Sequence, residues 1–282
     1  MDRAKIVACL TLLAVGCGRP ARIVVGSKNF TEQVLLGEIL AQQIERRLGV
    51  TVERRLNLGG TMLAHEALTR GDLDLYPEYT GTALTAVLKQ APVNDPAAAL
   101  EAVRAAYRSR WRLEWLAPLG FNDTFAMIVN RGAGVATLSE AASRQAWRMG
   151  IGYEFQQRPD GFDGLLKTYG LRMAAAPVTM DLGLLYAALA GGKVDMIAAN
   201  STDGLAAAPG LQILQDDRHY FPPYQCAVVV RQQTLERFPA LRGALAELSG
   251  RIPDAEMRKL NYAVDGEHRP AAEVAAQFLR HP

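Results

Sequence analysis

The sequence has few of the residues that build disulfide frameworks or zinc sites. Only three of its 282 residues are cysteines, Cys9, Cys17 and Cys226, and no two of them form a CxxC pair. This excludes a disulfide-stapled fold and a zinc knuckle. The chain also lacks an excess of one charge, because 31 basic residues stand against 29 acidic ones. That balance argues against a nucleic-acid-binding surface, and we expect no metal and no cofactor.

Motifs of hydrolytic enzymes are missing as well. The sequence has no Gly-x-Ser-x-Gly turn, and His65-Glu66 is not followed by a second histidine at the spacing of a zinc protease. The remaining three histidines are scattered. Asp160 and Asp203 could form a carboxylate pair, but turn geometry explains aspartates beside glycines equally well. An exported hydrolase is therefore the alternative of a different class, and we predict that the protein is not an enzyme.

The N-terminal residues have the pattern of an export signal. An apolar run at residues 6–15 follows Arg3 and Lys5 and is too short to span a bilayer. It ends in Ala14-Val15-Gly16-Cys17, which resembles a bacterial lipoprotein signal, although such signals usually have Leu where Ala14 stands. We expect residues 1–16 to be a signal peptide and Cys17 to be lipidated, which would tether the protein in the periplasm or at the cell surface. The alternative is an ordinary secretory signal with a chance cysteine.

Strand and helix patterns alternate along the rest of the chain, which is typical of an α/β fold with mostly parallel sheets flanked by helices. The predicted elements of the first third are a strand at 22–25, a helix at 31–48, a strand at 50–55, a helix at 61–69 and a strand at 73–76 that Pro77 ends. Those further on are strands at 124–129 and 227–230 that cross between two lobes, and helices at 235–248, 254–264 and 270–279.

One internal similarity indicates two lobes built on the same plan. The pattern Ala-Leu-x-x-Gly-x-Leu-Asp at residues 67–74 returns as Ala-Leu-x-x-Gly-x-Val-Asp at 188–195, and a Thr-containing turn follows each copy. We predict one lobe from residues 17–122 and 223–282 and a second from 123–222, with a ligand cleft between them. Alternatively, any two units of an α/β protein could share such a pattern.

Six segments in order resemble the OpuAC-like substrate-binding proteins of osmoprotectant ABC importers. The segments are Gly-Ser-Lys-Asn-Phe-Thr-Glu-Gln at 26–33, Gly-Gly-Thr at 59–61, Tyr-Pro-Glu-Tyr-Thr-Gly-Thr at 76–82, Arg-Pro-Asp-Gly at 158–161, Ser-Thr-Asp-Gly at 201–204 and Phe-Pro-Pro-Tyr at 221–224. The resemblance covers about residues 22–280. It implies a two-lobed type II periplasmic-binding-protein fold, capture of a quaternary amine such as glycine betaine, choline or carnitine, and a permease with its ATPase as partners. We expect a monomer.

The resemblance also implies a set of ligand contacts. The family surrounds the ammonium group with aromatic faces, since a quaternary ammonium cannot donate a hydrogen bond. The positions that match ring faces are Tyr79, Phe125 and Tyr224, while Asn200 stands where a further aromatic is expected. The positions that match the acidic end of the ligand are Arg158, Lys28 and Thr82. Asp123 stands where the family more often has Asn, and it would repel a carboxylate unless it pairs with Lys28 or Arg158.

Each of these assignments has a purely structural alternative. The rings could belong to the core, Arg158 could form a salt bridge between the lobes, and Lys28 could be a solvated loop residue. Glycine betaine is the first choice of ligand. A larger trimethylammonium compound or a non-quaternary ligand could use the space that Asn200 leaves, and a sensor that reports to a membrane partner without transport is compatible with the same residues.

Overall fold

The computed structural model describes residues 22–280, so the predicted signal peptide and Cys17 lie outside the described range. The strands are β1 (Arg22–Gly26), β2 (Thr51–Arg55), β3 (Leu75–Tyr79), β4 (Leu113–Asn122), β5 (Phe125–Asn130), β6 (Met149–Ile151), β7 (Val178–Thr179), β8 (Met196–Asn200), β9 (Leu211–Ile213) and β10 (Gln225–Arg231). The helices are α1 (Thr31–Leu48), α2 (Thr61–Arg70), α3 (Thr80–Thr82), α4 (Pro96–Trp111), α5 (Leu138–Arg144), α6 (Tyr153–Gln157), α7 (Phe162–Tyr169), α8 (Leu185–Ala190), α9 (Gln232–Arg237), α10 (Leu241–Ala246), α11 (Asp254–Asp265) and α12 (Ala271–Arg280).

The strands form two sheets with the same plan. Their orders are β2-β1-β3-β10-β4 and β7-β6-β8-β5-β9. In the first sheet β1, β2 and β3 are parallel to one another, and β10 runs antiparallel to both of its neighbours. In the second sheet β6, β7 and β8 are parallel to one another, and β5 runs antiparallel to both of its neighbours. Each sheet therefore has one reversed strand among four that share a direction. The predicted α/β fold with mostly parallel sheets is confirmed.

The sequence similarity at a spacing of 121 residues corresponds to equivalent elements. The first residues of β3 and β8 are 121 positions apart in the chain, and so are their last residues. Each of these strands is the central one of its sheet. The glycines that precede them, Gly71 and Gly192, have φ values of +87° and +65°. That left-handed conformation is easy only for a residue without a Cβ, which explains why glycine occurs in both copies.

The chain passes between the sheets twice. β4 ends at Asn122 and β5 begins at Phe125, and the chain has returned to the first sheet when β10 begins at Gln225. The predicted division points at 122/123 and 222/223 fall in these connections, and we use the terms first lobe (residues 22–122 and 223–280) and second lobe (123–222). The two strands predicted to cross, at 124–129 and 227–230, each lie within one sheet, because β5 pairs with β8 and β9 and β10 pairs with β3 and β4.

Two predicted boundaries were wrong, and both errors concern proline. Pro77 lies inside β3 instead of ending it. The parallel pairing of β3 with β1 is the single register Val25–Leu75, so Pro77 lies beyond that pairing and its missing N–H does not interrupt it. The helix predicted at 235–248 is two helices, α9 and α10, because Pro239 disfavours helical geometry at Phe238, whose φ and ψ are −128° and 77°.

The lobes have separate apolar cores. Helix α1 lies where it was predicted and packs the buried Leu35, Leu36 and Ile39 against the first sheet. The second lobe buries Trp147, whose ring nitrogen donates to the Ala141 carbonyl at 2.9 Å. Cys226 is a buried free thiol, as predicted. None of the helices in residues 22–280 combines the length and the apolar character that crossing a bilayer requires.

Candidate functional site

A cavity of about 160 Å³ lies between the two lobes. All eight residues predicted to contact a ligand line it, namely Lys28, Tyr79, Thr82, Asp123, Phe125, Arg158, Asn200 and Tyr224. The repeated strands explain much of this convergence. Tyr79 and Asn200 are the last residues of β3 and β8, and Phe125 is paired in register with Asn200. Strand ends that point the same way place their following residues at one edge, where α/β proteins bind ligands.

Aromatic rings form one wall of the cavity. The ring of Phe125 lies edge-on to Tyr224 with centroids 5.7 Å apart, and edge-on to Phe155 at 4.8 Å. Phe30 stacks on Tyr79 at 6.3 Å. Phe30 and Phe155 also line the cavity and were not among the predicted residues. They follow β1 and β6, which hold equivalent places in the two sheets. The signal that could have indicated them is the likeness of Gly-Ser-Lys-Asn-Phe at 26–30 to Gly-Tyr-Glu-Phe at 152–155, in which a phenylalanine follows a glycine at nearly the same distance.

Lys28 is buried and its charge is compensated within the first lobe. Its Nζ donates to Glu78 Oε1 at 2.7 Å and lies 4.5 Å from the centroid of the Tyr79 ring. Glu78 Oε1 also accepts from the backbone N–H of Tyr79 at 2.8 Å. The alternative of a solvated loop lysine was therefore wrong. A ligand at this position meets an ion pair and not an isolated ammonium group.

Arg158 connects the lobes and is also paired. Its Nε and Nη2 donate to the two carboxylate oxygens of Asp160 at 2.9 and 2.6 Å, and its Nη1 donates to Thr82 Oγ1 at 3.0 Å. The Tyr224 hydroxyl also donates to Asp160. Although burial opposes it, Arg158 holds the pKa of Asp160 below its usual value. The acid that Arg158 holds with two N–H groups is therefore Asp160, although the sequence predicted that Arg158 contacts the acidic end of a ligand.

The guanidinium group of Arg158 also lies against two of the rings. It is 5.2 Å from the centroid of Phe125 and 5.6 Å from that of Tyr224. Such contacts stabilise by about 0.5–2 kcal/mol each. They help to orient the Phe125 and Tyr224 rings at the cavity wall.

Glu154 closes a second contact across the cleft. Its carboxylate accepts from the backbone N–H of Thr61 and, at 3.1 Å, from the Thr61 hydroxyl. Thr61 begins α2, and the residue before it is Gly60, which has no side chain to cap the helix. A carboxylate at a helix N-terminus is favourable because the first N–H groups lack helical partners. The second lobe therefore supplies the cap of a first-lobe helix.

A cluster of acids lies where the two lobes meet, and one of its members, Asp123, lines the cavity. Asp123 does not pair with either predicted partner, since Lys28 bonds Glu78 and Arg158 bonds Asp160. Instead its Oδ1 lies 2.7 Å from the hydroxyl of Thr202, which lies 2.6 Å from Glu32. Burial and the neighbouring charge of Glu32 raise the pKa of Asp123 well above its usual value.

Glu32 belongs to this cluster and was not predicted. It is 2% exposed and its pKa is raised by burial, against the lowering effect of its hydrogen bonds. The one signal in the sequence was an acid on the first turn of α1, immediately after the segment that carries Lys28. Helical periodicity alone could not show that this acid faces inward.

Comparison with known proteins identifies the family. Residues 21–281 match the family model described as the substrate binding domain of ABC-type glycine betaine transport systems. The chain belongs to this family. Its members are extracytoplasmic solute-binding proteins of ABC importers and not enzymes, so both of those predictions are confirmed.

Curated relatives cover nearly the whole chain. The chain is 31% identical to the carnitine transport binding protein OpuCC of Listeria monocytogenes, over 99% of this chain and 93% of the relative. It is 34% identical to a glycine-betaine-binding protein of Pseudomonas aeruginosa, over the same shares. It is 33% identical to an ergothioneine transport permease and binding protein, EgtU, of Helicobacter pylori, over 91% of this chain and 47% of that protein.

Solved structures agree with the predicted architecture. A glycine betaine/carnitine/choline ABC transporter structure is 30% identical, with a TM-score of 0.76, 92% of this chain covered and 97% of that one. The lactococcal OpuAC structure, at 14% identity and a TM-score of 0.64, shares the fold. The predicted two-lobed type II periplasmic-binding-protein fold is confirmed.

Proposed function

We propose that this protein captures a small quaternary ammonium compound in the cavity between its lobes and delivers it to a permease and its ATPase. The observation that carries the proposal is the aromatic wall formed by Phe125 and its neighbouring rings. The names of the relatives support it, since they specify carnitine and glycine betaine. The contacts that we propose with the ligand are those predicted from the sequence, with Phe30 and Phe155 added.

The size of the cavity favours the smaller members of this ligand class. A dry cavity of about 150 Å³ in another protein accommodates benzene. The cavity here has about 160 Å³, which suits glycine betaine or choline. Carnitine is larger and would require the lobes to move apart. We therefore propose glycine betaine or choline before carnitine or ergothioneine.

The charge arrangement also favours an ammonium group. Lys28 and Arg158 would repel a cation if they were isolated, but Glu78 and Asp160 neutralise them at 2.7 and 2.6 Å. Each paired cation still has N–H groups that can donate to oxygen atoms of the ligand. Arg158, for example, also donates from Nη1 to the Thr82 hydroxyl. The same pairing weakens attraction for a ligand carboxylate, because the opposite charge beside each cation cancels most of its field.

Phe125→Leu is the sharpest test of the aromatic wall. This change keeps an apolar side chain and removes the π face, so quaternary ammonium binding should weaken about twofold to thirtyfold. Phe278→Leu is a matched control, because Phe278 is also partly buried and has an arginine, Arg251, 5.1 Å from its centroid, but lies outside the cavity. Isothermal titration calorimetry would use choline and its neutral isostere, in which carbon replaces nitrogen.

The expected result is that Phe125→Leu weakens choline binding and leaves binding of the neutral isostere nearly unchanged. Equal losses for both compounds would show that the ring contributes only apolar area and would overturn the cation–π part of the proposal. Phe125 is a cleaner probe than Tyr79 or Tyr224, whose hydroxyls bond Glu32 and Asp160 respectively. Asn200→Tyr, which adds a ring on the strand paired with that of Phe125, should tighten binding. A weaker complex would mean that Asn200 itself contacts the ligand.

The membrane connection is part of the same proposal. We propose that Cys17 carries a lipid anchor and that the mature protein acts as a monomer. Incorporation of a labelled fatty acid into the wild type, and its loss in Cys17→Ser, would support the anchor. Label that persists in Cys17→Ser would contradict it.

A further inference from the structure

The hydroxyl of Thr202 lies between two carboxyl groups that belong to different parts of the chain. It is 2.6 Å from Oε2 of Glu32, on α1 of the first lobe, and 2.7 Å from Oδ1 of Asp123, in the connection that leads to the second lobe. A hydroxyl has one hydrogen and can donate to only one of these oxygens. If both carboxyl groups were ionised, one of these two short oxygen–oxygen contacts would have no hydrogen between its atoms. One of the two acids must be protonated and donate to Thr202.

The hydrogen bonds around Glu32 show which acid is ionised. The backbone N–H of Lys28 donates to Gln33 Oε1 at 3.2 Å, which fixes the Gln33 amide so that its Nε2 donates to the Tyr79 hydroxyl at 3.0 Å. That hydroxyl must then donate its own hydrogen to Glu32, at 2.7 Å. Glu32 is thus an acceptor of this bond.

A second donor reaches the other oxygen of Glu32. The Nδ2 of Asn261 lies 2.9 Å from the carbonyl oxygen of Thr202 and 3.1 Å from Glu32 Oε2. A carbonyl oxygen can only accept, which fixes the orientation of the Asn261 amide, so its second N–H donates to Glu32 Oε2. With Tyr79 and Asn261 both donating to it, Glu32 is suited to the charged form and takes the Thr202 hydrogen as well. The proton that the geometry requires is left to Asp123.

We propose that Asp123 is a neutral carboxylic acid in the ligand-free protein, donating its proton to Thr202, and that capture of a cationic ligand expels this proton. The first half stands on the hydrogen-bond geometry alone. The second half rests on the proposed function, because it places the ligand's cation beside Asp123, which lines the cavity.

The surroundings of Asp123 agree with a bound proton. Burial, the charge of Glu32 and the charge of Asp203 raise its pKa well above the usual value, against the lowering effect of its hydrogen bonds with the side chain and backbone of Thr202. Burial raises the pKa of Asp203 itself to about 7. The titratable groups that face this cluster from the packed elements are Glu32 on α1, Tyr79 on β3, Tyr186 on α8, Asp203 after β8, Cys226 on β10 and Asp265 on α11, with Lys28 acting on Glu32 from the loop after β1.

This proton links the choice of ligand to pH. Neutral Asp123 does not repel the carboxylate of a zwitterion such as glycine betaine, so that ligand should bind without displacing the proton. Ionised Asp123 attracts a net cation such as choline. Choline should therefore bind with release of about one proton, and its affinity should rise with pH by up to about tenfold per pH unit until Asp123 is ionised in the free protein.

Infrared difference spectroscopy tests the first half without any ligand. A protonated carboxylic acid has a C=O absorption that is separate from carboxylate absorption. At about pH 8, where most of Asp203 is ionised, the wild type should show this band and Asp123→Asn should lose it. Asp203→Asn is the matched control and should keep it. Absence of the band in the wild type, or its persistence in Asp123→Asn, would overturn the assignment of the proton to Asp123.

Calorimetry in two buffers with different protonation enthalpies tests the second half. We expect about one proton released with choline, none with glycine betaine, and none when choline binds Asp123→Asn, whereas Asp203→Asn should still release it. Choline binding without proton release in the wild type would refute the coupling. If neither compound binds, the proposed function fails and the coupling falls with it, while the infrared result still decides the state of Asp123.

Discussion

Replacement of Asp203 by Asn should make the protein more stable, and more so at alkaline pH. Asp203 is partly buried, and burial raises the pKa of its carboxyl group to about 7. Its Oδ2 accepts from the Tyr186 hydroxyl at 3.0 Å and from the backbone N–H of Asn200 at 3.1 Å. The amide oxygen of an asparagine can accept both bonds. The substitution therefore removes a charge and keeps the hydrogen bonds.

The size of the effect follows from proton linkage. A carboxyl group with a raised pKa in the folded state is harder to ionise there than in the unfolded chain, so stability is lost as the pH rises from the ordinary value toward about 7. The difference from the ordinary value of 3.8 corresponds to about 4 kcal/mol when ionisation is complete. Residual exposure of the side chain reduces this to about 2–3 kcal/mol. Near pH 5 the corresponding cost is about 1 kcal/mol.

Urea unfolding of wild type and Asp203→Asn at about pH 5 and about pH 8 measures this difference. The variant should gain about 1 kcal/mol at the lower pH and about 2–3 kcal/mol at the higher one. Asp72→Asn removes an exposed carboxylate and is the control, in which the pH profile of the wild type should persist. A gain for Asp203→Asn that is the same at both pH values would refute the reasoning, because it would show that ionisation of this carboxyl group does not limit stability.

Two further changes test how the cavity and the cleft are held. A Cβ on Gly81 would lie 2.7 Å from Cδ1 of Tyr224, so Gly81→Ala should displace that ring and weaken ligand binding about tenfold or more in calorimetry. Gly243→Ala, where a Cβ meets nothing within 4 Å, should leave affinity unchanged, and equal affinities in the two variants would contradict the packing argument. Glu154→Gln removes the charge that caps Thr61 across the cleft and should speed ligand dissociation about fivefold in stopped-flow experiments. An unaltered rate would mean that this contact does not hold the lobes together.

The sequence predicted the elements that depend on local chemistry. The bounds of α1 follow from its apolar periodicity and from Gly49, which ends it with a φ of +65°. The two copies of the repeated pattern predicted two sheets of one plan, because each copy contains its own turn glycine and its own central strand. Where a proline could either end a strand or lie within it, as at Pro77, the local pattern was insufficient, since the outcome depends on which neighbouring strand is paired at that residue.

The sequence also indicated which residues would meet, through ordered motifs at the ends of the repeated strands. All eight of these residues line one cavity. The sequence did not indicate which groups Lys28 and Arg158 would bond. Lys28 is paired with Glu78, fifty positions away, and Arg158 with its near neighbour Asp160, although both had been expected to face a ligand carboxylate.

Local sequence therefore determined the helices, the strands, the repeat and the residues at the strand ends, because hydrogen bonding and apolar periodicity act over a few residues. Tertiary structure alone decided which charges neutralise each other and which carboxyl group holds a proton. Those outcomes depend on burial and on distances of about 3 Å, within one lobe for each of the two ion pairs and between the lobes for the contact of Thr202 with Glu32. The Thr202 hydroxyl reaches Glu32 and Asp123 across separations of 170 and 79 residues, and no spacing in the sequence records that they meet.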